Sequence, residues 1–269
     1  MEHVMNVELA KRLEQAEIDM MYSRLKTIQE QENNPMKIDI QTFGSATAFS
    51  AKGIPGPSFN TVKGVTFTDT KEIDEIIDYY KEQEIPCRFE ITPAHSTPEL
   101  FEYLSKKGFY QTDFHTTLYG STDATKNTIS NEIIVRDLEE YEFHLFGDIY
   151  VKSFGMPTFT IDGVSQNNKV LYGKEGWHFY LALIENTPAA ISVLYANKSI
   201  ASLAASATLP HLQGKGCQTA LLKQRMSAAK QLGCELVVGQ ARFGSISQNN
   251  MERAGMKIAY TKAIWMKRG

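Results

Sequence analysis

Ala204-Ala-Ser-Ala-Thr-Leu-Pro210-His-Leu-Gln-Gly214-Lys-Gly216-Cys-Gln-Thr-Ala-Leu-Leu-Lys-Gln-Arg-Met-Ser-Ala-Ala-Lys-Gln-Leu-Gly233 reads as a strand, a glycine-bearing turn and a helix, and the rest of the chain is organised around it. The strand is Ala201–Leu209, and Pro210 cannot donate the next ladder hydrogen bond, so extended structure stops there. His211 to Gly216 form a loop. From Cys217 onward, Ala220, Leu221, Met226, Ala229 and Leu232 recur at near-helical spacing, and Gly233 supplies a residue suited to a left-handed stop. The helix therefore begins inside the loop.

Two glycines at a helix N-terminus let backbone approach a ligand while free amide N–H groups point outward with the positive end of the dipole. That arrangement suits a phosphate. It is neither a dinucleotide fingerprint, because a third glycine is missing, nor a P-loop, because Gly-Lys-Ser/Thr is absent at the required spacing.

The flanking residues carry more information. Leu209-Pro-His-Leu-Gln213-Gly-Lys-Gly216-Cys-Gln-Thr-Ala-Leu-Leu222 resembles the acetyl-CoA-binding motif of the GNAT superfamily of acyltransferases, Gln/Arg-x-x-Gly-x-Gly/Ala. Gln213 and Gly216 match its first two fixed positions, while Gln218 stands where Gly or Ala is usual. Downstream, strand Cys234–Gln240, the segment Gly244–Met256 and strand Ile258–Met266 resemble the second GNAT motif, with Met256 in place of its phenylalanine. The matches cover about half the chain.

The first half repeats this order. A shift of 147 places Cys87 on Cys234, Gly108 on Gly255 and Tyr110–Tyr119 on Lys257–Met266 without a gap. The resemblance thus implies an α+β fold of two tandem GNAT-like domains, each a mixed, mostly antiparallel sheet flanked by helices. The expected boundaries are 1–120 for a degenerate first domain, 121–131 for a linker and 132–269 for the cofactor-binding domain. The same shift sets Thr66-Phe-Thr-Asp-Thr70 on Gln213–Cys217, so the first copy has an aspartate and no glycines where the second has two. It is expected to bind no nucleotide-containing cofactor.

Composition narrows the classes. The chain has 269 residues, 42% hydrophobic and 22% charged, which is the balance of a globular protein with ample core. A net charge of −3 without a basic run argues against nucleic acid as partner. Cys87, Cys217 and Cys234 are too few and scattered for a disulfide framework or metal site. No apolar run of membrane-spanning length and no signal-peptide pattern occurs, so the expected compartment is the cytoplasm, with no membrane partner.

Along the remaining chain, Leu9, Leu13, Ala16, Met20, Met21, Leu25 and Ile28 mark a long amphipathic helix from Val4 to Gln31. Lys37–Ala51 has strand character, Gly53–Ser58 is a loop, and Val62–Phe67 is a strand. Thr70 is positioned to cap a helix over Lys71–Gln83, Cys87–Ile91 and Phe109–Tyr119 are strands, and Pro98 leads a helix over Thr97–Lys107. In the second domain a strand at Ile133–Arg136 and a helix at Glu139–Phe154 precede an irregular segment, Gly155–Gly176. Strands Trp177–Ile184 and Ala189–Ala196 follow.

For chemistry, the resemblance implies that Gln213, Gly214, Lys215, Gly216, Cys217, Gln218 and Thr219 meet the phosphates of acetyl-CoA, the acyl donor. Ser206, Ala207 and Thr208 would meet its pantetheine arm, with Ser247 and Asn250 nearby. The acceptor would be an amine, on a small molecule or a protein, and a homodimer is compatible. Relatives carry an acid tyrosine where this chain has Met251. Tyr260 is an alternative, though an apolar-flanked strand tyrosine suits a core. Asp162, Glu175, Glu185, His178 and His211 are titratable residues of the second domain, and none is assigned as base. Cys217 invites a nucleophile hypothesis at a helix N-terminus, but no His or Asn partner can be assigned. Two other readings are a non-catalytic acyl-CoA-binding or regulatory module, and aminoacyl transfer from a tRNA-borne donor.

Overall fold

A computed structural model describes residues 4–68, 70–124 and 133–267. In chain order the elements are α1 (Val7–Gln29), β1 (Ile38–Phe43), β2 (Ala46–Ala51), β3 (Thr61–Lys63), α2 (Thr70–Glu82), β4 (Arg88–Ile91), α3 (Pro98–Lys106) and β5 (Phe109–Ser121). Then come β6 (Ile133–Asp137), α4 (Phe143–Ser153), α5 (Ile161–Lys169), β7 (Trp177–Ile184), β8 (Thr187–Asn197), β9 (Ile200–Thr208), α6 (Cys217–Gln231), β10 (Leu236–Arg242), α7 (Ile246–Arg253) and β11 (Lys257–Lys267). Most of the expected linker, from 125 on, lies outside the described residues; Ser121 ends β5, and Thr122–Ala124 form a 3-10 turn.

The chain divides into two compact units. The first holds Met1–Thr117, Gln240–Ser245 and Ile258–Gly269; the second holds Leu118–Gly239 and Ile246–Lys257. The expected boundary at 132–269 placed the last strand in the second domain, whereas β11 packs in the first unit. Its Trp265 belongs to that unit's core and stacks on Phe101 with centroids 5.2 Å apart.

In the first unit the strand order is β1-β2-β3-β4-β11-β5. Strands β1 and β2 form a hairpin turning at Gly44, whose φ is +55°. Expected strand Val62–Phe67 is shorter than read, because Gly64 (φ +72°) ends the extended run after Lys63. Helix α2 starts at Thr70 itself rather than being capped by it. Ile73, Ile76 and Tyr80 of α2 and Leu100 and Leu104 of α3 bury against Val62, Phe89 and Phe109. Complete burial of each such side chain stabilises by about 1.5–3 kcal/mol before chain entropy is counted.

Helix α1 is capped by Asn6, whose Oδ1 accepts from Leu9 N–H at 2.8 Å. Its inner face carries Leu9, Leu13, Ile18, Leu25 and Ile28, but also two carboxylates, Glu14 and Glu17, which are 3% and 2% exposed. Lys262 Nζ lies 2.7 Å from both Glu17 Oε2 and Glu90 Oε2. Glu90 also pairs with Lys63 and Arg88. Burial alone would disfavour the Glu90 carboxylate, yet Lys262, Lys63 and Arg88 hold its pKa well below the ordinary range. Burial works against the Lys262 ammonium too, and Glu17 and Glu90 more than offset it.

In the second unit the order is β10-β9-β8-β7-β6, antiparallel from β6 to β9 and parallel between β9 and β10. The β7–β8 hairpin turns at Glu185 and Asn186, both with positive φ (49° and 61°). Helix α6 packs across β7, β8 and β9, and α4 across β8 and β9. Phe143 and Phe146 of α4 meet Phe179 of β7 edge-on at 5.1 and 5.8 Å. Segment Gly155–Gly176 is not irregular: it contains a 3-10 turn, Thr158–Thr160, and α5. Helix α5 approaches α4 at Gly147 and buries Ser165 and Asn168, whose side chains bond back to Ile161 O and Val164 O. A polar buried face gives no apolar periodicity to read.

Candidate functional site

The opening of the site begins with a register break. Strand β9 pairs with β8 from Ala190↔Thr208 to Val193↔Ala205, and pairing resumes at Tyr195↔Ser202. Two residues of β9, Leu203 and Ala204, thus oppose one of β8, Leu194, which is a β-bulge. On the other edge, β10 runs parallel to β9 over Leu236↔Ile200, Val237↔Ala201 and Val238↔Ser202, and that pairing stops where the bulge begins. A bulge bends its strand, so Leu203–Thr208 continues past the point where β10 leaves it.

Pro210–Leu212 then make a 3-10 turn, and Gly214 and Gly216 take φ of +78° and +90°. Helix α6 starts at Cys217 with Gly216 as its cap and no side-chain capping bond. The first amides of the helix are left for another acceptor. A Cβ built on Gly214 meets nothing within 4 Å, so the space above the loop is open. Open space, uncapped amides and exposed Lys215 fit an anionic group such as a phosphate.

Gln218 connects this turn to the strand. Ser206 Oγ donates to Gln218 Oε1, and Gln218 Nε2 donates to Thr208 Oγ1 at 2.7 Å. Ser206, Thr208 and Gln218, named separately from the sequence, are thus one hydrogen-bonded group. Ala207, between them, is buried. Gln213, Gly214 and Thr219 are exposed around the loop. Ser247 and Asn250 lie on α7, which packs beside α6; Asn250 Oδ1 accepts from Arg253 of its own helix at 3.4 Å.

The titratable candidates scatter. Cys217 is buried, and burial raises its thiol pKa against the pull of the helix amide and Lys215, so it is not an activated nucleophile. Met251 is buried and would be struck by a Cβ at Gly239. Tyr260 sits in the core of the first unit, and burial, then Glu17 and Glu14, push its pKa up. Glu175, Glu185 and His211 are exposed. His178 is half-buried on β7, its pKa lowered by burial although Asp137 opposes. Asp162 lies 3.8 Å from His144 at the rim of an open hollow of about 410 Å³ between α4 and α5, which Tyr141, Phe143 and Gln166 also line.

The sequence reading missed Arg225. It lies on the buried face of α6, with Nη1 donating to Val193 O and Ala205 O at the bulge. A charged residue four from both Leu221 and Ala229, on the apolar stripe, was the available signal.

No family model matches the chain, and none of the curated proteins does. Solved structures do. A GCN5-related N-acetyltransferase from Kribbella flavida superposes with a TM-score of 0.69 at 13% identity, covering 97% of this chain and 96% of that one. One from Sphaerobacter thermophilus gives 0.62 at 13% identity, over 96% and 91%. A tandem GNAT protein from the clavulanic acid biosynthesis pathway gives 0.61 at 9% identity, over 93% and 95%. The chain has the GNAT fold, in the two-copy form that the tandem GNAT protein shares.

Proposed function

We propose that the protein is an N-acetyltransferase that takes an acetyl group from acetyl-CoA and passes it to a primary amine. The observation that carries this is the juxtaposition in the second unit of an uncapped, glycine-flanked helix start with a strand stretch that β10 has left. Acetyl-CoA would supply a thioester-activated acetyl group. The amides of Cys217, Gln218 and Thr219 would hold its pyrophosphate, Lys215 would add a cation beside it, and Leu203–Thr208 would align its arm. A thiol has a low enough pKa to depart with little help from an acid.

Thermal unfolding with and without acetyl-CoA tests the donor. A ligand that binds only the native state stabilises by about 2.7 kcal/mol at a hundredfold excess over its Kd. An upward shift followed by amine-dependent thiol release supports the enzyme, and no shift at millimolar donor refutes it.

The second reading, a non-catalytic acyl-CoA-binding module, is favoured by one observation. Where an acid would be expected the chain has buried Met251, and Tyr260 is sequestered in the first unit. A melting shift without thiol release across a broad amine panel would select it.

A further inference from the structure

The buried face of α6 comprises Cys217, Ala220, Leu221, Leu222, Met226, Ala228, Ala229 and one charged side chain, Arg225, which is 4% exposed. Burying an ion without a counter-ion is costly, and an apolar side chain would pack here without that cost. Among the described residues, no carboxylate acts on the charge of Arg225. Burial lowers its pKa to about 10, with Tyr180 opposing, so it stays cationic at neutral pH. Tyr180 is itself neutral, its pKa raised to about 12 by burial and then by Asp137.

What the guanidinium does is donate to three carbonyls. Nε reaches Leu221 O at 3.3 Å, while Nη1 reaches Ala205 O at 3.2 Å and Val193 O at 3.4 Å. Val193↔Ala205 is the last registered pair before the β8–β9 break. A bulge disrupts the ladder, and a buried carbonyl at such a break needs a donor from elsewhere. One atom of Arg225 binds both strands there and ties them to α6. A planar fork does this; a single ammonium serves fewer directions.

We propose that Arg225 is a positioning residue for the donor site: it pins the bulge, and with it the departure of β9 from β10 beyond Val238↔Ser202, past which Leu203–Thr208 continues. This rests on the acetyl-CoA reading above. Arg225 reaches no donor atom itself; it acts through Ala205 and Val193.

The test uses the full chain with R225M, of similar volume and no charge, and R225K. Folding is followed by circular dichroism and urea midpoint, strand geometry by amide hydrogen exchange over Leu203–Thr208, and donor affinity by acetyl-CoA titration. R225M is expected to fold, to exchange faster across that stretch and to bind acetyl-CoA at least tenfold more weakly, with R225K recovering part of both. A folded R225M with unchanged exchange and affinity overturns the role of Arg225 while the donor reading stands. If R225M fails to fold, R225K decides. Weaker binding and faster exchange confined to the bulge support the role, and wild-type values for both overturn it. If the unmutated chain binds no acetyl-CoA, the donor reading falls and this role with it.

Discussion

Thr92 Oγ1 donates to Glu14 Oε2 at 2.8 Å, joining α1 to the residue that follows β4, 78 positions away. The other oxygen of Glu14 accepts from Gly64 N–H at 3.2 Å, and His95 Nδ1 lies 2.9 Å from Oε2. Gly64 and Thr92 follow the ends of β3 and β4, the parallel pair that matches β9 and β10 in the second copy. The chain's own carboxylate therefore occupies the ends of β3 and β4 in the first unit.

The buried charges under α1 make stability depend on acid. Glu14 and Glu90 both have folded-state pKa values below the unfolded carboxylate value of about 4.3, despite burial. A depressed folded value means the stabilisation is present above that pH and lost as pH falls through the folded values. Glu90→Gln should lose about 3–5 kcal/mol at neutral pH, because Lys63 and Lys262 are left with less compensating charge. Its urea midpoint should also fall less steeply with acid than that of the parent. Parallel pH profiles would show that Glu90 is not the linked group.

Gly216 has φ +90°, and a Cβ there would sit 3.3 Å from Ile133 Cδ1. A β-branched residue in that conformation costs about 1–2 kcal/mol, so the loop rather than the fold should give way. Gly216→Val is expected to keep its circular dichroism and lose the melting shift with acetyl-CoA. A full shift in the variant would show that the phosphate site lies elsewhere.

The carboxamide of Gln218 takes both hydroxyls of the β9 stretch. A donor arm laid there competes with two neutral hydrogen bonds, each contributing about 0.5–1.5 kcal/mol. Gln218→Ala should therefore lower the urea midpoint and tighten acetyl-CoA binding, by up to about tenfold if one such bond no longer has to break. Calorimetric titration of the two proteins checks it. Weaker binding in the variant would mean that the carboxamide contacts the donor directly.

Cys217 offers a chemical check. Its thiol is buried and its pKa raised, so iodoacetamide at neutral pH should leave it unmodified in the native protein and label it after denaturation. Cys217→Ala should bind acetyl-CoA as the parent does. Loss of turnover with binding intact would revive a covalent role.

How much of this was legible follows from which residues carry the signal. Helix α6 was readable from Ala220, Leu221, Met226 and Ala229, all buried, although Leu232 is 46% exposed beyond the helix end. The glycine turn was readable because two left-handed residues leave glycines behind. The bulge was not: it shifts register by one residue while Ala201–Thr208 keeps the composition of an ordinary strand. Glu14, Glu17 and Arg225 stayed hidden because charges between apolar residues read as a solvated face until tertiary partners are known. The hand-over of β11 to the first unit has no local signature, since its residues suit either sheet.

Helix α5 was hidden for a reason that can be tested. It meets α4 through Gly147, where a Cβ would collide with Ser165 Oγ and come within 2.7 Å of Ile161 O. A backbone carbonyl cannot rotate away as a side chain can, so Gly147→Ala must separate the two helices. Within α4 itself alanine is the better helix former, favouring the variant by about 1 kcal/mol. Overpacking typically costs about 1–3 kcal/mol, so the packing term should win. The urea midpoint is expected to fall, and pairing Gly147→Ala with Ser165→Gly should recover only part of the loss because the Ile161 carbonyl remains. An unchanged or higher midpoint for Gly147→Ala alone would mean that α5 does not rest on α4 at this glycine.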